Sequence, residues 1–127
     1  MLILECVTIA DAPCAWLTTL RPDGSPHTTP VWFLLLDETF WIASSTVNVK
    51  VKNVVRDPRV SLAIDGTGAQ PHVAQGRVTV HPKIQDFPHL VALLAKKYDD
   101  WNATDESQDG PRVLLQVSVD RWLFTGF

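Results

Sequence analysis

The polar residues that close one predicted strand and open the following helix are of the types that bind an anion. Ser44, Ser45 and Thr46 bring three hydroxyl groups in a row, and Lys50 and Lys52 follow shortly afterwards. The first backbone N–H groups of a helix and its dipole favour negative charge, and hydroxyls and a lysine complete a phosphate cradle. A second interpretation stays open, in which the hydroxyls only cap the helix and both lysines are solvated.

Aromatic residues on neighbouring predicted strands have the size and shape to hold a flat ring. Trp32 and Phe33 follow one another on one strand, Trp41 lies on the next, and Trp122 lies near the C terminus. Such side chains usually pack in a core, but a flat heterocycle also uses an aromatic wall with backbone amides at its polar edge. A phosphate cradle beside such a wall indicates a phosphorylated flat cofactor, and FMN and its deazaflavin analogue both fit.

Motifs for other reaction types are missing from the sequence. There is no Gly-x-Ser-x-Gly elbow, no His-Glu-x-x-His, no Cys-x-x-Cys and no Gly-x-x-x-x-Gly-Lys loop. A metal site needs three or four converging ligands, whereas His27, His72, His81 and His89 are scattered along the chain, so we expect structural or surface roles for them. No catalytic side chain is assigned from the sequence.

Length and composition describe one ordinary globular domain, spanning residues 1–127. With 46% apolar residues, the chain can bury a core without metals or disulfides. The formal net charge of −3 argues against nucleic-acid binding, and no apolar stretch approaches the roughly 20 residues of a membrane span. Because the N terminus lacks a basic signal region and Cys6 and Cys14 fit free thiols, we expect a cytoplasmic protein.

Turn residues and apolar periodicity predict a mainly β protein with helices, of the α+β class. The Arg21-Pro22-Asp23-Gly24 turn separates the first two strands, and Gly76 inside the fifth indicates a bulge or a close backbone approach. Helices are predicted over residues 46–56 and from Pro88 onward. The six predicted strands cover residues 15–20, 28–36, 40–44, 59–65, 72–80 and 112–124. Strands that follow one another without crossover helices favour an antiparallel sheet curled into a small barrel.

Several segments together resemble one known family. Residues 50–62 are similar to its Lys-x-x-Asn-(apolar)-x-Arg-Asp-Pro-Arg-(apolar)-Ser segment. Residues 15–33 are similar to its opening hairpin, residues 73–78 to its strand with a lone glycine, and residues 112–117 to its last strand. The chain is thereby identified as a member of the pyridoxamine 5'-phosphate oxidase-like FMN-binding split β-barrel superfamily. It is most similar to the flavin and deazaflavin oxidoreductase branch, which is associated with coenzyme F420.

The resemblance implies a six-stranded antiparallel split β-barrel that forms a homodimer, with cofactor sites at the subunit interface. It implies an enzyme that uses bound FMN or coenzyme F420 to transfer a hydride or two electrons to or from a small unsaturated or aromatic substrate. Lys50 would contact the cofactor phosphate, and the partner subunit's Trp122 would approach the ring. The remaining implied contacts are donors from Ser44, Ser45 and Thr46 and a ring wall of Thr29, Pro30, Val31 and Trp32.

Two departures from the family pattern narrow the expected activity. Asn48 stands where some deazaflavin-binding relatives carry an arginine, which weakens the site for a long anionic cofactor tail. The Arg-bearing substrate motif of true pyridoxamine-phosphate oxidases does not follow before Phe127, so we do not expect vitamin B6 oxidation. The choice between FMN and F420 stays open because both present a ribityl phosphate. A non-enzymatic FMN-binding electron carrier and a vestigial dimeric barrel without flavin remain alternatives.

Overall fold

The computed structural model describes residues 9–64 and 71–125 of the chain. Two α-helices lie wholly within these ranges, α1 (Val49–Arg56) and α2 (Pro88–Lys97), and a short 3-10 helix, Ile84–Asp86, precedes α2. Seven strands make up the rest of the regular structure: β1 (Ala15–Leu20), β2 (Pro26–Val31), β3 (Leu34–Leu36), β4 (Thr39–Ser45), β5 (Arg59–Ile64), β6 (His72–His81) and β7 (Arg112–Thr125). No described helix has the length and apolar character to span a bilayer.

All seven strands join one antiparallel sheet in the order β2-β1-β5-β6-β7-β4-β3. The mainly β antiparallel architecture is therefore confirmed, but the predicted number of six strands is wrong. The single strand predicted over residues 28–36 is interrupted at Trp32 and Phe33. The strand is interrupted there because β2 pairs with β1, whereas β3 pairs with β4. The two strands therefore lie at opposite edges of the sheet.

The short connection between β2 and β3 requires the sheet to curl. These strands form the two edges, yet only Trp32 and Phe33 separate Val31 from Leu34. Three peptide units span at most about 11 Å, so the edges must approach within that distance. Because the edges approach without joining one ladder, the sheet forms a barrel with a split, and residues 32–33 cross the split.

Two groups of apolar side chains fill the fold. The larger one occupies the barrel interior and includes Leu17, Phe33, Phe40, Ile42 and Leu115. The smaller one lies beneath α2 and consists of Leu34, Ile84, Leu90, Leu94, Ala103 and Leu114. Helix α1 adds Val51 and Val54 to the larger group. Each helix is thus fixed to the sheet by one apolar face, and α2 covers one side of the barrel.

Gly76 confirms the predicted close backbone approach within β6. A β-carbon at this position would collide with the backbone carbonyl of Ser118 on β7, and the register between the two strands shifts beside it. Only glycine fits a position where a neighbouring strand comes this close.

Candidate functional site

A cleft of about 220 Å³ opens where the end of β2, the end of β4, the start of α1 and the loop before β7 meet. Six of the nine site residues predicted from the sequence line this cleft. They are Pro30, Val31 and Trp32 from the β2 end, Ser44 and Ser45 from β4, and Lys50 from α1. The structure therefore brings three of the four predicted phosphate-binding residues and three of the four predicted ring-wall residues to one place.

The other three predicted residues lie outside the lining of this cleft. Thr46 follows Ser45, and its backbone N–H donates to the carbonyl of Pro111 at 3.0 Å. Thr29 precedes Pro30, and its Oγ1 is buried with no hydrogen-bond partner in the described part of the chain. Trp122 packs against the barrel core, its ring centroid 6.1 Å from that of Phe40. Its predicted role in a partner's site stays a prediction.

The two adjacent serines serve different purposes. Ser45 Oγ donates to the backbone carbonyl of Asp109 at 2.6 Å, so its proton is committed to holding the loop before β7. Ser44 Oγ instead accepts from the side-chain amide of Asn48 at 2.9 Å. A hydroxyl that accepts one bond still has its own proton to give. Ser44 is therefore the serine equipped to donate to an anion in the cleft.

The first turn of α1 begins without a side-chain cap. Asn48 is the N-cap residue, but its amide binds Ser44 and makes no capping hydrogen bond. The backbone N–H groups of Val49 and Lys50 have no acceptor among the described residues. Uncapped N–H groups at a helix N terminus attract negative charge. Asn48, Ser44 and Lys50 all line the cleft, so this donor set faces one volume.

Lys50 carries the positive charge of this donor set. Its side chain is half-buried, and burial lowers the pKa of its ammonium below the ordinary value. Within residues 9–64 and 71–125, no carboxylate lies within 4.0 Å of the Lys50 ammonium. A partly desolvated cation without a counter-ion is costly, and a bound anion would offset that cost.

An aromatic wall forms the other side of the cleft. Trp32 is 47% exposed, although it belongs to a residue type that usually packs inside. The Tyr98 ring stacks on its indole at 4.4 Å and 5°, and Trp101 meets it edge-on at 5.2 Å and 89°. One face of the indole is thus covered by Tyr98, and the exposed remainder offers a flat apolar surface beside the phosphate donors.

The C-terminal end of α2 holds the two residues that cross the split. Tyr98 Oη accepts a hydrogen bond from the Phe33 N–H at 2.9 Å and donates to the Pro13 carbonyl at 3.0 Å. Lys97 Nζ donates to the Phe33 carbonyl at 2.9 Å and lies 3.7 Å above the Phe33 ring. Burial lowers the pKa of Lys97 to about 8 and raises that of Tyr98. These contacts fix the position of Trp32.

Three cleft residues that were not predicted from the sequence, Trp101, Asp109 and Arg112, come from the loop after α2 and the first position of β7. Trp101 continues the apolar spacing of the second predicted helix, which predicts a helix face there, but α2 ends at Lys97. No local pattern indicates a role for Asp109 or Arg112. Arg112 donates to the carbonyls of Ala103 and Asp105 at 3.1 and 2.7 Å and pairs with the Asp109 carboxylate at 2.7 Å. Its guanidinium also lies 5.0 Å from the Trp101 ring. Arg112 therefore shapes this wall of the cleft.

The histidines occupy separate environments. His72 is buried beside Trp122, His89 is exposed, and His81 Nε2 lies 2.8 Å from the Gln116 side-chain oxygen. Within the described residues, no three His, Cys, Asp or Glu side chains converge as a metal site would require. The donors of the cleft are hydroxyl, amide and ammonium groups, which suit a phosphate.

Known structures of low sequence identity share this fold. One is an F420 reductase, with 22% identity, a TM-score of 0.75, and coverage of 90% of this chain and 92% of that chain. Another is the heme storage protein HutZ from Vibrio cholerae, with 15% identity, a TM-score of 0.80, and coverage of 98% and 94%. A conserved hypothetical protein from Mycobacterium tuberculosis shows 22% identity, a TM-score of 0.76, and coverage of 94% and 81%. At these identities the likeness shows the fold alone.

The family assignment comes from the sequence. No protein of curated function matches this sequence. A sequence model of the family described as pyridoxamine 5'-phosphate oxidase matches residues 5–126, which is nearly the whole chain. The superfamily predicted from the residue pattern is confirmed, and the chain belongs to the pyridoxamine 5'-phosphate oxidase family.

Proposed function

We propose that the cleft binds a flavin-type cofactor, FMN or coenzyme F420, and that the protein is an oxidoreductase. The reaction is transfer of a hydride or two electrons to or from a small unsaturated or aromatic substrate. The observation that carries this proposal is the half-buried Lys50, which has no described carboxylate partner and shares a cleft with the exposed ring of Trp32. An F420 reductase among the structures of the same fold supports the same class of cofactor.

The phosphate of such a cofactor fits the donors at the start of α1. Lys50 supplies the charge, Ser44 supplies a hydroxyl proton, and the N–H groups of Val49 and Lys50 supply uncapped backbone donors. Hydrogen bonds to an ionised group are about twice as strong as neutral ones. These groups come from a single β4-α1 segment, so their spacing is set by local backbone geometry rather than by flexible loops.

The flat ring of the cofactor fits the wall formed by the β2 end. Trp32 is held by Tyr98 and Trp101, while Pro30 and Val31 directly precede it at the end of β2. A bound flavin or deazaflavin supplies the electron-transfer chemistry itself. The residues of this chain bind the phosphate, orient the ring and exclude water from one of its faces.

The proposed assembly is a homodimer that works in the cytoplasm. The family resemblance implies cofactor sites at the interface, where the partner subunit's Trp122 would approach the ring. The cleft is open on its outer side, so a second subunit has room to complete it. The free thiol of Cys14 fits a reducing compartment; Cys6 lies outside the described residues.

Two alternatives share the fold and differ in chemistry. A non-enzymatic electron carrier would bind FMN in the same cleft without turning over a substrate. A vestigial dimeric barrel would bind neither cofactor. Purified protein should be titrated with FMN and with F420, with quenching of cofactor fluorescence as the measure of binding. The loaded protein is then supplied with nicotinamide donors and candidate acceptors to test for turnover.

These measurements separate the proposal from the alternatives. An oxidoreductase gives saturable binding and repeated turnover, whereas a carrier gives binding and a single reduction. A ligand present at 100 times its dissociation constant stabilises the folded state by about 2.7 kcal/mol. A melting temperature that neither FMN nor F420 raises would contradict the proposal and favour the vestigial barrel.

A further inference from the structure

Three charged side chains line the cleft, and two of them form an ion pair with one another. One terminal nitrogen of Arg112 pairs with the Asp109 carboxylate at 2.7 Å, and the other donates to two backbone carbonyls. Lys50 has no carboxylate partner among the described residues. The cleft therefore offers one unpaired positive charge to a ligand, and it also presents a carboxylate.

The backbone holds the Asp109 carboxylate beside the phosphate donors. Ser45 Oγ donates to the Asp109 carbonyl at 2.6 Å, and Thr46 N–H donates to the Pro111 carbonyl at 3.0 Å. Ser45 and Thr46 directly follow Ser44, the hydroxyl donor. The Asp109 side chain is 47% exposed while that of Arg112 is only 10% exposed, so the carboxylate rather than the guanidinium faces the solvent side.

We propose that Asp109 is a specificity-determining residue that favours a flat cofactor ending in one phosphate over one with an anionic tail beyond the phosphate. This inference rests on the proposed function, and it selects FMN over coenzyme F420. Lys50 can compensate the phosphate of either cofactor. The carboxylates of a longer tail would meet the exposed Asp109 carboxylate as like charges more closely than they would meet its nearly buried partner Arg112, and Asn48 adds no positive charge to the cleft.

The test uses the isosteric variant Asp109→Asn. An asparagine oxygen can still accept from Arg112, so the loop keeps its anchor while the negative charge is lost. The matched control is Asp105→Asn, which removes the same charge from the same loop. Asp105 does not line the cleft, and its side chain caps the Ser107 N–H through an oxygen that asparagine retains.

Wild-type protein and both variants are titrated with FMN and with F420 at one ionic strength, by fluorescence quenching. We expect the wild-type protein to bind FMN more tightly than F420. Removing one like charge near the tail should raise the ratio of F420 to FMN affinity about fivefold in Asp109→Asn. The ratio should stay unchanged in Asp105→Asn.

Three results would overturn the inference alone while leaving the proposed function intact. They are a wild-type protein that prefers F420, a ratio that Asp109→Asn leaves unchanged, and a ratio that both variants raise equally. If neither the wild-type protein nor either variant binds FMN or F420, the proposed function is contradicted, and the inference with it. Circular dichroism spectra of the three proteins check that each variant is folded.

Discussion

The indole of Trp32 lies parallel to the phenol ring of Tyr98, with ring centroids 4.4 Å apart and planes inclined by 5°. The hydroxyl of the same tyrosine accepts the N–H of Phe33, the residue after Trp32. Tyr98 therefore supports the indole from one side and fixes the backbone beside it. Tyr98 thereby contacts both residues that cross the barrel split, and one of them, Trp32, forms the wall of the cleft.

Removing only the Tyr98 hydroxyl should destabilise the fold. Tyr98→Phe keeps the stack on Trp32 but leaves the Phe33 N–H without its acceptor, which costs about 1–3 kcal/mol. Tyr98→Leu should lower the free energy of unfolding by about 0.5–1.5 kcal/mol more, because it also removes the aromatic pair. Urea unfolding measures both values. Equal stability of wild type and Tyr98→Phe would show that the hydroxyl bonds contribute nothing.

The neighbouring serines should respond differently to the same substitution. Ser45→Ala removes the bond to the Asp109 carbonyl and should lower the free energy of unfolding by about 1 kcal/mol. Ser44→Ala should chiefly weaken FMN binding, by about 1 kcal/mol or roughly fivefold, because it removes a ligand donor. Each variant is the control for the other in paired unfolding and titration experiments. The reverse pattern would exchange the roles assigned to the two hydroxyls.

Lys97 should make the stability of the fold depend on pH in the alkaline range. Burial lowers its pKa from 10.5 to about 8 in the folded state. Between those values the unfolded chain binds more protons than the folded one, so stability rises with pH. The raised pKa of Tyr98 acts in the opposite direction, but only as the pH approaches 10, where the tyrosine of the unfolded chain begins to lose its proton.

Urea unfolding at pH 7.5, 8.5 and 9.5 tests this dependence on wild type and Lys97→Met. The methionine variant loses the hydrogen bond to the Phe33 carbonyl at every pH, so an offset between the curves is expected. The informative quantity is the slope. The wild type should gain stability relative to the variant as pH rises through 8, and parallel curves would contradict the assignment.

Gly76 should tolerate no side chain. Gly76→Ala places a β-carbon against the Ser118 carbonyl on the neighbouring strand and should cost about 1–3 kcal/mol through overpacking. Gly24→Ala is the control, since its β-carbon meets nothing within 4 Å and only the positive φ of +85° is unfavourable. That control should cost about 1 kcal/mol. Thermal and urea unfolding compare the two, and a larger loss in Gly24→Ala would argue against the close approach.

The sequence predicted the features that depend on local backbone. Ser44, Asn48 and Lys50 lie on one strand-to-helix connection, so their convergence follows from chain geometry over a few residues. Gly76 was recognisable because a lone glycine inside an apolar strand usually marks a bulge or a close backbone approach. The family match over residues 5–126 agrees with these local patterns.

The features that the sequence analysis missed depend on distant pairing. Residues 28–36 are mostly β-branched, aromatic or apolar, so nothing local indicates that β2 and β3 join opposite edges. Asp109 and Arg112 reach the cleft because β7 pairs with β4, which brings Arg112 opposite Ser45. The exposure of Trp32 likewise follows from its place at the split rather than from its residue type.

Lys50 provides the most direct test of the cofactor site. FMN should be titrated into wild type, Lys50→Ala and the control Lys52→Ala, whose lysine is exposed on the same helix and does not line the cleft. If the ammonium binds the phosphate, Lys50→Ala should lose roughly 1–3 kcal/mol of binding energy, or about five- to 150-fold in affinity. Lys52→Ala should bind like the wild type. Unchanged affinity in Lys50→Ala, or equal losses in both variants, would contradict the proposed site.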